Sequence, residues 1–140
     1  MGRKLPLRRL RFKGASPAVR VGPSQIHGKG VFATSGLPAG TPLIDQHLQK
    51  NLKEYEQGEK GWDGKLTIYV GGKLLGSSVS SWQEFINHQD EPNAKFNTKA
   101  ELVTTKPVSA GDEITVDYRT CVHPQSRVYR ELFGGKKEPQ

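Results

Sequence analysis

The segment FINHQDEPNAKF, residues 85–96, closes an apolar run with an Asn-His pair and passes at once into a charged turn built on Pro92. Two readings compete for Asn87 and His88. In the first, Asn87 caps a helix C-terminus and a half-buried His88 is satisfied by backbone. In the second, both side chains, each able to donate and to accept, hold a ligand. The following Asp90-Glu91-Pro92-Asn93 is turn chemistry in either case. Just upstream, Ser81-Trp82-Gln83-Glu84 matches a capping box. It predicts a short helix from Trp82 that turns Phe85 and Ile86 inward and leaves Asn87-His88 at its C-terminal end.

Working outward, KLTIYV-GG-KLLG at 65–76 is the clearest hairpin, because a two-residue primed turn needs the permissive backbone of Gly71-Gly72. AVRVG (18–22), VFA (31–33), PLID (42–45), AKF (94–96), ELVTTK (101–106) and EITVDY (113–118) read as further short strands. LQKNLKEYEQ carries Leu48, Leu52 and Tyr55 at helical spacing and predicts an amphipathic helix ended by Gly58 or Gly61. A second short helix is predicted in the tail, with Val128, Leu132 and Phe133. The 16 Gly and 9 Pro favour many turns and short strands. The fold class expected is mainly β, of the α+β kind, with one or two small helices.

A chain of 140 residues has room for one core. Its single cysteine, Cys121, excludes an intramolecular disulfide framework and fits a reducing, intracellular compartment. No apolar run approaches the roughly 20 residues of a membrane span, and neither a secretory h-region nor a myristoylation pattern is expected. The net charge of +7 is uneven: residues 1–44 carry 8 Lys/Arg and no acid, whereas residues 45–140 carry 13 Lys/Arg against 14 Asp/Glu. The basicity therefore belongs to an N-terminal arm, residues 1–16, which suits nucleic-acid phosphates, a nuclear address or plain solvation. The expected organisation is this arm, a folded unit over 17–120 and a tail over 121–140.

Two more stretches stand out. In IHGKGVFA, residues 26–33, Gly28 and Gly30 bracket a tight turn that feeds an apolar strand. Glycines there serve either a plain turn or a close backbone approach to a ligand. The pattern is neither a P-loop nor a dinucleotide fingerprint. In SAGDEITVDY, residues 109–118, a Gly-Asp turn leads into a strand that reads, taken alone, as an edge strand with Tyr118 as an ordinary β-residue. None of the three stretches selects a function singly.

Together, Ile-His-Gly-Lys-Gly-Val-Phe-Ala, Phe-Ile-Asn-His-x-x-x-Pro-Asn and Gly-Asp-Glu-Ile-Thr-Val-Asp-Tyr resemble the SET-domain protein lysine methyltransferases over residues 18 to about 120. The near-minimal length is similar to compact viral, fungal and bacterial members. The resemblance implies a β-clip fold of small curved sheets with a C-terminal pseudo-knot, an exception to ordinary topology rules. It implies S-adenosyl-L-methionine as cofactor, no metal, and methylation of a lysine on a histone or another basic protein. By the same resemblance His27, Gly28, Lys29, Gly30 and Phe32 cradle the amino-acid end of the cofactor. Asn87 and His88 hold its carboxylate, amino group and adenine side, and Tyr118 stands at the neck of a lysine channel; the cysteine-rich tail of many relatives is absent, and Tyr129 or Phe133 either folds over the adenine in its place or is a packing residue. A compact homodimer and a nuclear or chromatin location, or a cytoplasmic one in a bacterium, also follow from it.

The chain departs from the pattern in places. Gln89-Asp90 stands where relatives usually have Ser-Cys, and Gln46-His47-Leu48-Gln49 occupies the region of a common Tyr-x-Gly motif. His47 in a tyrosine's place would remove an active-site hydroxyl unless Tyr55 or Tyr69 supplies one. Cys121-x-His123 is too sparse for a zinc site. Asp90, Glu91, Asp112, Glu113 and Asp117 are expected either to attract a cationic peptide or merely to solvate turns. Two further readings therefore stand beside the enzyme: a SET-like module without turnover that binds peptide or nucleic acid, and a DNA-binding protein driven by the arm.

Overall fold

The computed structural model describes residues 16–56 and 66–134. The basic arm, the proposed helix stops Gly58 and Gly61, and the last six residues lie outside the described residues. Among the described residues, ten short strands form three small sheets. The first has the order β1 (Val19–Pro23), β2 (Lys29–Ala33), β10 (Glu113–Val116), β7 (Asn87–His88). The second joins β3 (Pro42–Leu43), β9 (Leu102–Thr104) and β8 (Ala94–Phe96), and the third joins β4 (Lys53–Tyr55), β6 (Lys73–Ser77) and β5 (Leu66–Val70).

The alternating pattern of VRV, GVF and EITV decides which face of the first sheet is core. Val21, Val31, Ile114 and Val116 turn inward and are buried together with Trp82 and Ile86. The opposite face of β2 and β10 carries Gly30, Phe32 and Glu113. Strand β10 is not an edge: β2 runs antiparallel on one side and β7 parallel on the other.

The Gly71-Gly72 hairpin forms as expected, with φ of 59° and 77°, the left-handed pair that a type I′ turn requires. The capping box also forms, but over a single 3₁₀ turn, Trp82–Phe85. Ser81 Oγ accepts from Gln83 N and Glu84 returns a bond to Ser81 N. This corrects the expected role of Asn87 as a helix cap. The turn ends at Ile86, whose backbone is already extended, and Asn87-His88 enter the sheet as β7.

The predicted helix through Tyr55 stops early. Helix α1 spans Gln46–Lys50, capped by the buried Asp45, which accepts from Leu48 N and from Ser81 Oγ. Lys53–Tyr55 instead pair with β6, and Tyr55 lies over Gly76, where a side chain would crowd its ring. A ladder with β6, whose Gly76 makes room for the Tyr55 ring, outcompetes one more turn of a short helix. For the same reason of capping, PLID shortens to a two-residue strand, because Asp45 is used as the cap. The tail is helical over Arg127–Tyr129 (α2) and continues as a π-turn over Arg130–Gly134. Val128 and Leu132 do not pack inward: they are 45% and 52% exposed. No helix among the described residues is long and apolar enough to cross a membrane.

Candidate functional site

Parallel pairing of β7 with β10 sets Asn87 beside Thr115 and His88 beside Val116. Three segments far apart in the chain therefore meet at one end of the first sheet: the β1–β2 turn, the Asn-His pair, and the stretch after β10. The turn is held first by Ser24. Its hydroxyl accepts from Ile26 N (2.9 Å) and His27 N (3.3 Å) and donates to the Glu113 carboxylate at 2.8–2.9 Å.

Asn87 then clamps this turn to β10. Its Nδ2 lies within 3.1 Å of four acceptors: Ser24 Oγ, His27 O, Lys29 O and Glu113 Oε2. An amide nitrogen has two hydrogens, so these contacts are shared. All four use Nδ2 and leave Oδ1 outside the network. Gly28 has φ +47°, and a side chain there would meet nothing within 4 Å, so space opens beside the turn. Gly30 is different. A Cβ on it would overlap Glu113 Oε2 and sit 2.7 Å from its Cδ. The glycine at this position makes room for Glu113.

His88 joins the clamp to Tyr118. Its Nδ1 accepts from Tyr118 N at 3.0 Å and its Nε2 meets Asp90 Oδ1 at 2.8 Å, which fixes the proton on Nε2. The imidazole packs against Tyr118 on one side and edge-on against Phe133 on the other, with ring centroids 5.4 and 5.0 Å away. Tyr129 reaches the cluster through Phe133, at 4.9 Å. Phe32 lies apart from these rings, under the Arg20 guanidinium. His27 and Lys29 are exposed, and Gly30 is buried against Glu113.

Tyr118 starts a 3₁₀ turn capped by Asp117. Its hydroxyl donates to Ile86 O at 2.5 Å. Burial, with smaller contributions from Cys121 and Glu113, pushes its pKa up to about 12. The phenol is therefore protonated at neutral pH. Cys121, buried beside it, is likewise pushed up to about 12 by desolvation. Tyr118 lines a cavity of about 320 Å³ whose walls are mostly apolar, among them Ile68, Ile86, Phe96, Val116 and Val122.

Neither His47 nor Tyr55 nor Tyr69 lines this cavity. Tyr55 sits over Gly76, and Tyr69 packs on His123 at 4.5 Å. The acids expected to draw in a cationic peptide are mostly engaged locally. Glu113 belongs to the Asn87 clamp, Asp112 accepts from Ser109 N, and Asp90 and Asp117 bind Arg119. Hydrogen bonding to Arg119 is the main reason that the Asp117 carboxyl is held below its ordinary pKa.

Sequence reasoning missed Ser24 and Gln83 here and gave Glu113 and Asn93 other roles. Ser24 and Glu113 build the clamp. Asn93, read as turn chemistry, lies alongside β10: its Nδ2 donates to Glu113 O and its Oδ1 accepts from Thr115 N, at 2.9 Å each. Gln83 is 3% exposed, and it is among the residues that line the cavity. The signal available for Gln83 was a polar residue between Trp82 and Ile86, at a position that a capping box turns inward.

Comparison with known proteins agrees with this architecture. The comparison with curated proteins returned no match. Among solved structures, the chain is similar to a Plasmodium falciparum protein named as a candidate histone methyltransferase, with TM-score 0.52 and 18% identity over 74% of this chain and 95% of that one. It is similar also to the methyltransferase domain of human PR domain-containing protein 2, with TM-score 0.55 and 18% identity over 78% of this chain and 81% of that one. At such identity these likenesses establish the fold. The SET domain family profile matches residues 28–119, which span the Gly28 turn, the Asn87-His88 pair and Tyr118, and the chain belongs to the SET-domain family.

Proposed function

We propose that the chain is an S-adenosyl-L-methionine-dependent protein-lysine N-methyltransferase that acts on a histone or another basic protein tail. One observation carries this reading: a protonated tyrosine hydroxyl, Tyr118, lines an apolar cavity next to the clamp formed by Asn87 and the Gly28 turn. The open space beside Gly28, the uncommitted Asn87 Oδ1 and the ring cluster of His88, Phe133 and Tyr129 fit the amino-acid and adenine ends of that cofactor. His27, Gly28, Lys29, Gly30, Asn87 and His88 are the residues assigned to hold it, with Phe32 supporting the turn from the sheet and Tyr129 closing over the ring. When bound, the cofactor supplies an activated methyl group.

The protein's own task is then alignment and desolvation. Apolar walls disfavour the charged form of an entering lysine and lower its pKa. Tyr118 donates its proton to Ile86 O, so its oxygen is left to accept from the amine and orient it. Its high pKa makes it a positioning hydroxyl at neutral pH and unsuited to act as a base. The acid-free stretch up to residue 44, with 8 Lys/Arg, suits a DNA phosphate backbone next to a chromatin substrate, and a nuclear location accompanies that reading in a eukaryotic or viral setting.

Methyl-labelled cofactor incubated with core histones and other basic proteins tests the proposal. Label should pass to lysine and be lost in Tyr118→Phe, with the variant still folded. Cofactor binding without transfer to any of these proteins would favour instead a SET-like module without turnover.

A further inference from the structure

The 3₁₀ turn Trp82–Phe85 is fixed at its start by the capping box, and Trp82, 2% exposed, anchors it in the core. This geometry leaves Gln83 no way to reach solvent. Its side chain is buried, and among the described residues neither Nε2 nor Oε1 has a hydrogen-bond partner. An unpartnered buried amide is costly and is retained when something entering the site completes it. Gln83 lines the same cavity as Tyr118, whose other walls are mostly aliphatic and aromatic.

We propose that Gln83 is the specificity-determining residue of this cavity, accepting an N–H of the substrate amine through Oε1 and so selecting the unmethylated lysine. The inference rests on the methyltransferase reading and adds to it the number of methyl groups transferred. Tyr118 Oη and Gln83 Oε1 are the two acceptors assigned to the amine; Glu84 and Ser126 also line the cavity but accept from Ser81 N and Tyr129 N. A neutral primary amine has two N–H groups and one lone pair: the two hydrogens fill both acceptors, and the lone pair is left to face the methyl donor. In the transfer the lone pair forms the new N–C bond, the C–S bond breaks with its electron pair staying on sulfur, and the proton of the entering ammonium has already left to water. A monomethylated amine, once neutral, has one N–H. One acceptor is then left unfilled, and the methyl group lies against a polar amide. A site built to hydrogen-bond an N–H rejects the analogue that lacks it.

The full chain is tested with the peptide best labelled in the histone panel, made with its target lysine unmethylated or monomethylated. Wild type is expected to prefer the unmethylated peptide by about tenfold in kcat/KM, the worth of one hydrogen bond, and to stop at one methyl. Gln83→Met, of similar length and apolar, is expected to bring the two peptides within about twofold and to yield dimethyllysine by mass spectrometry. A second measurement needs no turnover. The Gln83 side-chain amide resonances, identified by their loss in Gln83→Met, should shift on titration with n-butylamine and stay unmoved with butyltrimethylammonium, which has no N–H. A wild type that adds the second methyl as readily as the first, or an unchanged ratio in a folded Gln83→Met, would overturn the proposal, as would equal shifts with both amines. Absence of transfer to any protein with the amine-dependent shift intact would instead remove the methyltransferase reading and leave Gln83 as an amine-binding residue.

Discussion

Replacing Gly30 by alanine separates two reasons for a glycine beside a ligand site. Gly30 lies in β2 with ordinary negative φ, so alanine introduces no backbone strain. Its Cβ would overlap the Glu113 carboxylate and come within 3.1 Å of Ser24 Cβ. The carboxylate sits at the end of a flexible side chain and can swing away, so the clash itself is cheap. What is lost is its bonding: Asn87 Nδ2 at 2.8 Å and Ser24 Oγ at 2.8–2.9 Å. Hydrogen bonds to charged groups are worth about 1.5–3 kcal/mol, and half-exposure of Glu113 places this case at the low end, near 2 kcal/mol for the set. For a chain of this size that corresponds to a fall in Tm of about 6–8 °C. Glu113→Ala removes the same bonds and should cost about the same. The double variant should then cost little more than either single one, a coupling of about 2 kcal/mol in a double-mutant cycle read by urea or thermal melts. Costs that add to within about 0.5 kcal/mol would refute the reasoning. So would an unchanged melt of Gly30→Ala in the absence of cofactor, which would return the glycine to a role in ligand approach alone.

Two more outcomes follow from the network around β10. Asn93→Ala leaves Glu113 O and Thr115 N without their side-chain partner and should cost about 2 kcal/mol in a denaturant melt, more than the few tenths expected of an ordinary turn residue. The Asp117 carboxyl is depressed below its ordinary 3.8, chiefly by its hydrogen bond with Arg119. A depressed carboxylate contributes stability above the unfolded pKa and loses it as pH falls through the folded one, so the contribution disappears below about pH 4. In Arg119→Ala the acid limb of a stability-versus-pH curve should become shallower in that window, and an identical limb in both proteins would contradict the assignment.

What could be read from the chain, and what could not, divides by the range of the interactions. The Gly71-Gly72 hairpin and the Ser81–Glu84 capping box are specified by neighbours a few residues apart, and both form where local chemistry puts them. The helix through Tyr55 was also a local inference, and it yields to β6, a strand some twenty positions away whose glycine makes room for the tyrosine ring. The position of β10 inside the first sheet likewise depends on pairing with β2 and β7, which no local pattern encodes. Asn87 illustrates the same limit at the site. Its importance was legible from the spacing of three motifs. That its Nδ2 is spent on Ser24, His27, Lys29 and Glu113 was not, because those acceptors converge only once the sheet is built.

The clamp changes how the motif residues divide their work. An amide nitrogen committed to two carbonyls of the β1–β2 turn cannot also bind a ligand, so Asn87 supports the site by holding the turn open and offers only Oδ1 outward. His88 has the same double character: one ring nitrogen fixes the backbone of Tyr118, the other is taken by Asp90, and only its ring face and edge remain for packing. Preorganisation of this kind places the tyrosine hydroxyl and the turn before any ligand arrives, and alignment is most of what an in-line transfer from an activated donor requires. By contrast Gln83, which no motif marks, is the polar group that the fold leaves unspent. In a site whose shared residues are engaged with one another, discrimination between substrates falls to such an uncommitted group.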